Sequence, residues 1–360
     1  MPETSPGTRR RLLATLFAGV GLTRTGFIAA ITVTTLVTKD MLGSATLAGL
    51  PAALAIVGTA LGTRPTAALM ASKGRRPGLV IGQLVTLVGA VGSFAAVVAG
   101  SFPLLLVALV VFGAGNSADR MARYAAADVA GPARASSAVA LIVWAGTIGS
   151  VAGPALLDPM GDLAERIGIE RLAGPYAVTA AVAVIAAIVL HTMLRPDPLS
   201  LAAAPKVGAG RPRARLRDAL TAPVTRFAIV SLVIGQFVMV VIMAMAPIHI
   251  RNAGIDLGGV GLVISAHTLG MFAMSPLTGW MADRVGRIPV ILAGQAILVL
   301  SALMASVAAG DDTVLLVVAL FLLGLGWNFG FVAGSALLAT GDDVDARIRL
   351  QGLADSVVWS

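Results

Sequence analysis

The sequence predicts an all-α polytopic membrane protein made of two similar helical halves, and three observations lead there. Hydrophobic residues make up 57% of the chain and charged residues 12%, at a mean hydropathy of +0.91, where a soluble domain carries about 25% charged residues. The apolar residues fall in runs of roughly 20, the length that crosses about 30 Å of hydrocarbon as a helix. Phrases also repeat along the chain. PTAALMASKGRRP (65–77) and PLTGWMADRVGRIP (276–289) each end an apolar run, Gly113-Ala-Gly115-Asn116 returns as Gly324-Leu-Gly326-Trp327-Asn328, and Arg134…Val143-Trp144 returns as Arg349…Val358-Trp359. These echoes keep their order at offsets of 211 to 215, as an internal duplication would.

Spans are expected near 12–37, 47–72, 78–100, 103–127, 136–157, 173–194, 226–250, 258–282, 289–309 and 313–340, with an eleventh starting near 350. Each must be a helix, because a lone span in lipid has to satisfy its own backbone hydrogen bonds. The basic start MPETSPGTRRRLL imitates a signal peptide, but the run behind it is long, holds Arg24 and shows no cleavage pattern leading into a soluble domain, so it reads as the first span. Residues 1–194 form the first six-helix half, 195–225 a basic cytoplasmic linker, and 226–360 a second half of about four and a half helices. In the first half about 50 residues follow Trp144 before the sixth span closes, so the repeat leads one to expect about as many beyond Trp359 and a C-terminally truncated chain.

Charge orients the bundle. With the N-terminus inside, the inner segments hold 20 of the 26 Lys and Arg residues and the outer ones only Lys39, Arg166, Arg171 and Arg251, the positive-inside pattern. Arg24 and Arg64 remain within spans. The net charge of +8 is therefore topological and does not point to nucleic acid. A multi-pass protein of the cell membrane, N-terminus cytoplasmic, follows. With no cysteine and three scattered histidines, thiolate chemistry is excluded and a metal site is unsupported. Gly113-Ala-Gly115 lies inside a span, not after a strand, so it is no dinucleotide fingerprint, and the absence of a Walker motif argues against ATP-driven pumping. An enzyme is not expected, nor is a cofactor; a proton gradient is the expected energy source.

Six plus six helices, a central basic loop and the string Gly279-x-x-x-Asp283-Arg284-x-Gly286-Arg287 between spans eight and nine together resemble the major facilitator superfamily, over essentially the whole chain. The resemblance implies a 6+6 bundle with pseudo-symmetric halves and loops that latch one conformation through charge-assisted bonds. The first copy of the loop motif departs from the pattern: Ala68 and Ser72 stand where Gly and Asp are expected and one residue is missing before Gly74, while Lys73, Gly74, Arg75 and Arg76 are kept. Span five carries Gly146, Gly149, Gly153 and Pro154, similar to the antiporter signature of exporters in that family, with Leu157-Asp158 replacing its trailing glycines. The arginine that such exporters often place four residues before a span-four glycine is missing, since Leu109 precedes Gly113; Asp119, Arg120 and Arg123 follow further along instead. SAHTLGMFAMSPLTGWMADRVGR and GLGWNFGFVAGSALL resemble a multidrug-efflux-like branch.

Candidate chemistry lies within the spans. Arg24 sits about 20 Å along a helix from Arg11, and a mid-membrane arginine must face protein or a wet cavity; substrate contact, coupling and an interhelical bond are its possible roles. His267, halfway along span eight, is either a proton carrier or a histidine bonded to a serine or a carbonyl that never titrates. Asp119 and Arg123, four residues apart, are placed to pair on one helix face, at the cytoplasmic end or in a gate. Asn116, Gln236 and Asn328 offer hydrogen bonds, and Trp144, Trp327 and Trp359 aromatic walls. The function expected is alternating-access, proton-coupled efflux of a small organic or amphipathic compound by a monomer in the lipid bilayer. A proton-coupled importer is the alternative, and a receptor or scaffold, with polar groups confined to helix ends, the alternative of another class.

Overall fold

The computed structural model describes residues 5–44, 46–202, 216–252, 257–309, 312–340 and 343–359. Its elements are α1 (Pro6–Leu42), α2 (Leu50–Lys73), α3 (Arg75–Val98), α4 (Phe102–Ala130), α5 (Ala135–Ala155), α6 (Leu157–Arg166), α7 (Gly174–Met193), the short α8 (Pro198–Leu201) and α9 (Leu216–Thr221), α10 (Pro223–Asn252), α11 (Leu257–Phe272), α12 (Ser275–Arg284), α13 (Arg287–Val307), α14 (Thr313–Leu338) and α15 (Val344–Val358). Ten stretches are long and apolar enough to cross a membrane, α11 and α12 counting together, and they fall on the ten expected spans. All described elements are helical. Of the expected linker, residues 203–215 lie outside the described residues.

The eighth span is not one helix. It breaks at Ala273–Met274 between α11 and α12, because Pro276, at the start of α12, has no N–H to give to the preceding turn. Asn328 of α14 fills the gap, its amide donating to the Met271 carbonyl at 2.6 Å and to the Ser275 hydroxyl at 2.7 Å. The paired loops do keep one geometry. Gly74 and Gly286 have φ of 101° and 105°, which only glycine adopts without strain, and each turns the chain sharply into the next helix.

Within each half the helices interlock through glycine. The bare faces of Gly58 and Gly113 lie against the Val110 and Ala55 backbones where α2 meets α4, and those of Gly270 and Gly324 against Phe321 and His267 where α11 meets α14. Small residues let backbones approach this closely, and such packing replaces the hydrophobic drive that lipid does not supply. These matched contacts also correct the register read from the text. The first half's α2 maps onto α11 and α12 with a constant shift of 212, as the pairs Ala55/His267, Gly58/Gly270 and Ala67/Gly279 show, so no residue is missing before Gly74 and the counterpart of Asp283 is Ala71 rather than Ser72. On α4 and α14 the shift is 211: Ser117 bonds Thr66 and Asn328 bonds Thr278. Asn328 thus stands where Ser117 does, and Trp327 where Asn116 does.

The two ends of the bundle differ. One collects the start of α1, the loop between α2 and α3, the α4–α5 turn, the loop between α12 and α13 and the start of α15, and is rich in arginine. At the other, Arg171 holds Asp158 at 2.8 Å, Glu165 at 3.3 Å and Asp162, all on exposed side chains.

Candidate functional site

The fourth helix supplies the core of the site. Asn116, Asp119, Arg120 and Arg123 recur at three- and four-residue spacing, so they share one face of α4, and Asp119 lies about 16 Å from the helix end at Ala130. Asp119 is buried. It accepts a hydrogen bond from Gln83 of α3 at 2.7 Å, with the Thr23 hydroxyl beside it and the charges of Arg24 and Arg120 acting on it. The expected Asp119–Arg123 pair does not form. Arg123 turns instead to Asp355 of α15, at 2.5 Å, and also donates to the Tyr124 hydroxyl and to Ser335 of α14. Both side chains are buried, and a buried pair that loses one partner costs about 3–5 kcal/mol.

Arg24 comes from α1 and is surrounded by the bundle, yet keeps part of its surface accessible, as do Arg120 and Trp359. These three side chains therefore border a space within the helices. Trp359 lies face-on to the Arg120 guanidinium at 3.4 Å, a cation–π contact. Beyond it runs a chain of rings: Phe331 edge-on to Trp359 at 6.4 Å, Trp327 stacked on Phe331 at 4.5 Å, and Phe272 edge-on to Trp327 at 6.2 Å. Trp144 of α5 is 41% exposed and packs on Phe17. Gly149 and Gly153 press α5 onto α1, against Arg24 and against Ile28 and Ala29, while Gly146 faces Phe272 of the other half. Pro154 lies one residue before the end of α5.

The structure thus groups Arg24, Asn116, Asp119 and Trp359 but not His267, Gln236 or Asn328. His267 is buried, its Nδ1 3.1 Å from the Leu320 carbonyl within the second half. Gln236 accepts from the Trp327 indole N–H at 2.9 Å, and Asn328 spends its amide on α11 and α12. Asn116 is the opposite case: it is 1% exposed and neither amide atom has a partner.

Between this level and the arginine-rich end the halves are fastened together. Asp128 is gripped by Arg75 of α3 at 2.8 Å and by Arg347 of α15 at 2.9 Å, and Arg75 also reaches Gln351 at 2.8 Å. Asp283 caps α5 from the other half, accepting from the Ser136 and Ser137 N–H groups at 3.0 and 2.9 Å and from the Ser137 hydroxyl at 2.6 Å. A carboxylate there meets both the free N–H groups and the positive end of the helix dipole. Arg287 adds bonds to the Pro132 carbonyl at 2.6 Å and to Ser136 and Thr340. Of the other loop residues, Arg284 folds over Trp280, Gly279 packs closely on α5 at Ala140, and Arg76 and Arg75 give their backbone N–H groups to Asp197, just after α7. Lys73 ends α2 and is exposed. Among the described residues no bond between the halves lies at the opposite end.

Asp355, Gln83, Asp128 and Asp197 were not singled out from the sequence. The available signal was an acidic or amide residue on an apolar helix: Gln83 in span three, and Asp355 in a helix otherwise closed by Val357 and Val358.

Comparison with known proteins agrees with this architecture. The profile described as Major Facilitator Superfamily matches residues 13–354. The chain is 38% identical to the "Uncharacterized MFS-type transporter YdeG" of Bacillus subtilis (strain 168), over 99% of this chain and 84% of that one. It is 27% identical to the "Riboflavin transporter RfnT" of Brucella anthropi, over 100% and 87%. Its fold is similar to the structure of the proton:xylose symporter XylE bound to 6-bromo-6-deoxy-D-glucose, with a TM-score of 0.72 at 16% identity, over 99% and 87% of the two chains. With the family profile matching nearly the whole chain and a relative 38% identical over 99% of it, this protein belongs to the Major Facilitator Superfamily and is a multi-pass secondary transporter of a small-molecule substrate.

Proposed function

We propose that the protein is a proton-coupled exporter of small organic or amphipathic compounds, of the multidrug-efflux-like kind, working as a monomer with its N-terminus in the cytoplasm and two halves that rock about the space at Arg24 and Arg120. The observation that carries this reading is Asp119, a buried carboxylate at mid-membrane depth on the face of α4 that borders that space. An intramembrane carboxylate is costly unless it does something. Protonated, it releases its hold on Arg24 and Arg120; ionised, it restores it. Gating falls to the other end, where opening must part Arg347 from Asp128 and Gln351 from Arg75 and lift Asp283 off the N-terminus of α5. The 20-to-4 split of basic residues supports a cytoplasmic arginine-rich end, and the tight seam of Gly149 and Gly153 on α1, beside Arg24, supports antiport over uptake.

The test is flux through vesicles reconstituted with the full-length protein, under an imposed pH gradient, using compounds first picked by a growth screen of expressing cells against a toxic panel. Movement of cargo against the proton flow, lost in Asp119→Asn, is the expected result. Cargo moving with the protons would make the protein an importer, and flux indifferent to the gradient would remove Asp119 from coupling.

A further inference from the structure

The central space holds more positive than negative charge. Arg123 and Asp355 neutralise each other directly. That leaves Arg24 and Arg120, which repel one another, with Asp119 as the one nearby carboxylate not already paired to an arginine, while Asp355 acts on Arg120 as well as on Arg123. In a low-dielectric interior such an excess is not screened away by solvent. Three unpartnered polar atoms lie on the same face of α4: both amide atoms of Asn116 and Nε of Arg120. Native proteins pair nearly all buried polar atoms, and those left over need an explanation. Across the space, the indole N–H of Trp359 is also without a partner, and its ring already lies on the Arg120 guanidinium.

We propose that the space bordered by Arg24, Arg120 and Trp359, with the buried Asn116 amide on the same face of α4 as Arg120, binds a singly charged organic anion bearing a flat aromatic ring. The anionic group accepts from the two guanidiniums and from the Asn116 amide, which supplies the missing charge and the missing acceptor together. The ring packs against Trp359, beside the Arg120 guanidinium. A cation would meet Arg24 and Arg120 at close range and be repelled. The proposal deepens the transporter reading by naming its cargo class, and it depends on neither the direction of transport nor proton coupling.

Equilibrium binding without any gradient therefore tests it separately. Titration calorimetry on the full chain in lipid nanodiscs compares 2-naphthoate with neutral 2-naphthamide, with the 2-naphthylmethylammonium cation, and with chloride and acetate. Naphthoate is expected to bind at least ~10-fold tighter than every other probe, the worth of one charge-assisted pair, and to lose that margin in Arg120→Gln. Equal binding of the amide or the cation would overturn the anionic assignment, and equal binding of chloride or acetate the aromatic one. A second variant guards against a folding failure. Asn116→Asp places the missing negative charge in the protein itself, so it should raise the melting temperature of the ligand-free protein and abolish naphthoate binding; a lowered melting temperature, or binding left intact, would overturn the proposal. Failed pH-driven flux with intact naphthoate binding would sink the coupling reading alone.

Discussion

Gln83 on α3 and Gln295 on α13 occupy matching places in the two halves, 212 residues apart, and their side chains meet different neighbours. Gln83 donates to Asp119. Gln295 lies beside Gly330, the counterpart of Asp119 on α14, and donates to the Ser231 carbonyl at 3.1 Å. The contrast runs the length of the two helices: α4 carries Asp119, Arg120, Arg123 and Asp128, whereas α14 carries no charged residue from Thr313 to Leu338. Asn116, with no partner, stands opposite Trp327, whose N–H is satisfied by Gln236. The glycine contacts that hold each half together are shared; the charges are not. A duplicated scaffold has therefore kept its packing in both copies and concentrated its ionisable chemistry in one.

If packing is the shared part, damage to it should be symmetrical. Gly113→Val and Gly324→Val each push a side chain into a neighbouring backbone, and overpacking of this kind costs about 1–3 kcal/mol or more. Both should lose most of the monodisperse protein on size exclusion; a loss confined to one half would break the comparison. Chemistry should be lopsided. Asp119→Asn should reduce pH-driven flux by ~100-fold in vesicles, on the scale of a lost proton-transfer group, with folding intact. His267→Gln should leave flux within about two-fold, because its ring is spent on a carbonyl within its own half; a strong loss there would move coupling to the second half.

A smaller effect is expected at the latch. Asp283→Asn weakens a cap worth about 1 kcal/mol and should lower transport several-fold, while Ser72→Ala, whose hydroxyl bonds only to its own helix, should change nothing measurable. A last contrast, read in stability and not in transport, concerns the two asparagines. Asn328→Ala strips bonds from Met271, Ser275 and Thr278 and should cost about 1–3 kcal/mol in thermal unfolding, whereas Asn116→Ala removes no bond and should be neutral.

Much of this fold was legible because the membrane restricts the choices. Runs near 20 residues can only be helices, and Arg-rich loops alternate with Arg-poor ones, so ten spans could be placed to within a few residues. The duplication was legible too, but not its register: matching letters aligned Asn116 with Asn328 and Pro65 with Pro276, while backbone contacts show each pair one position apart. Side-chain partners were less accessible. Arg123 could be expected to pair with Asp119, four residues away on its own helix; its actual partner, Asp355, is 232 residues distant and reached only when the halves close. The break in span eight was signalled by Pro276, yet Pro65 in the first half sits inside an unbroken α2, and the difference lies in what α14 offers to the freed backbone.

The ionic contacts at the two ends of the bundle differ in one further way. Asp128 and its two arginines are at most 9% exposed at the side chain, whereas Arg171 and its acidic partners are 40% to 88% exposed. Mobile ions screen exposed charges over about 8 Å at physiological strength and reach buried ones far less. A cell that shrinks in brine or swells in fresh water therefore changes the grip of the Arg171 cluster, while the clasp on Asp128 holds with nearly constant strength whatever the surrounding electrolyte.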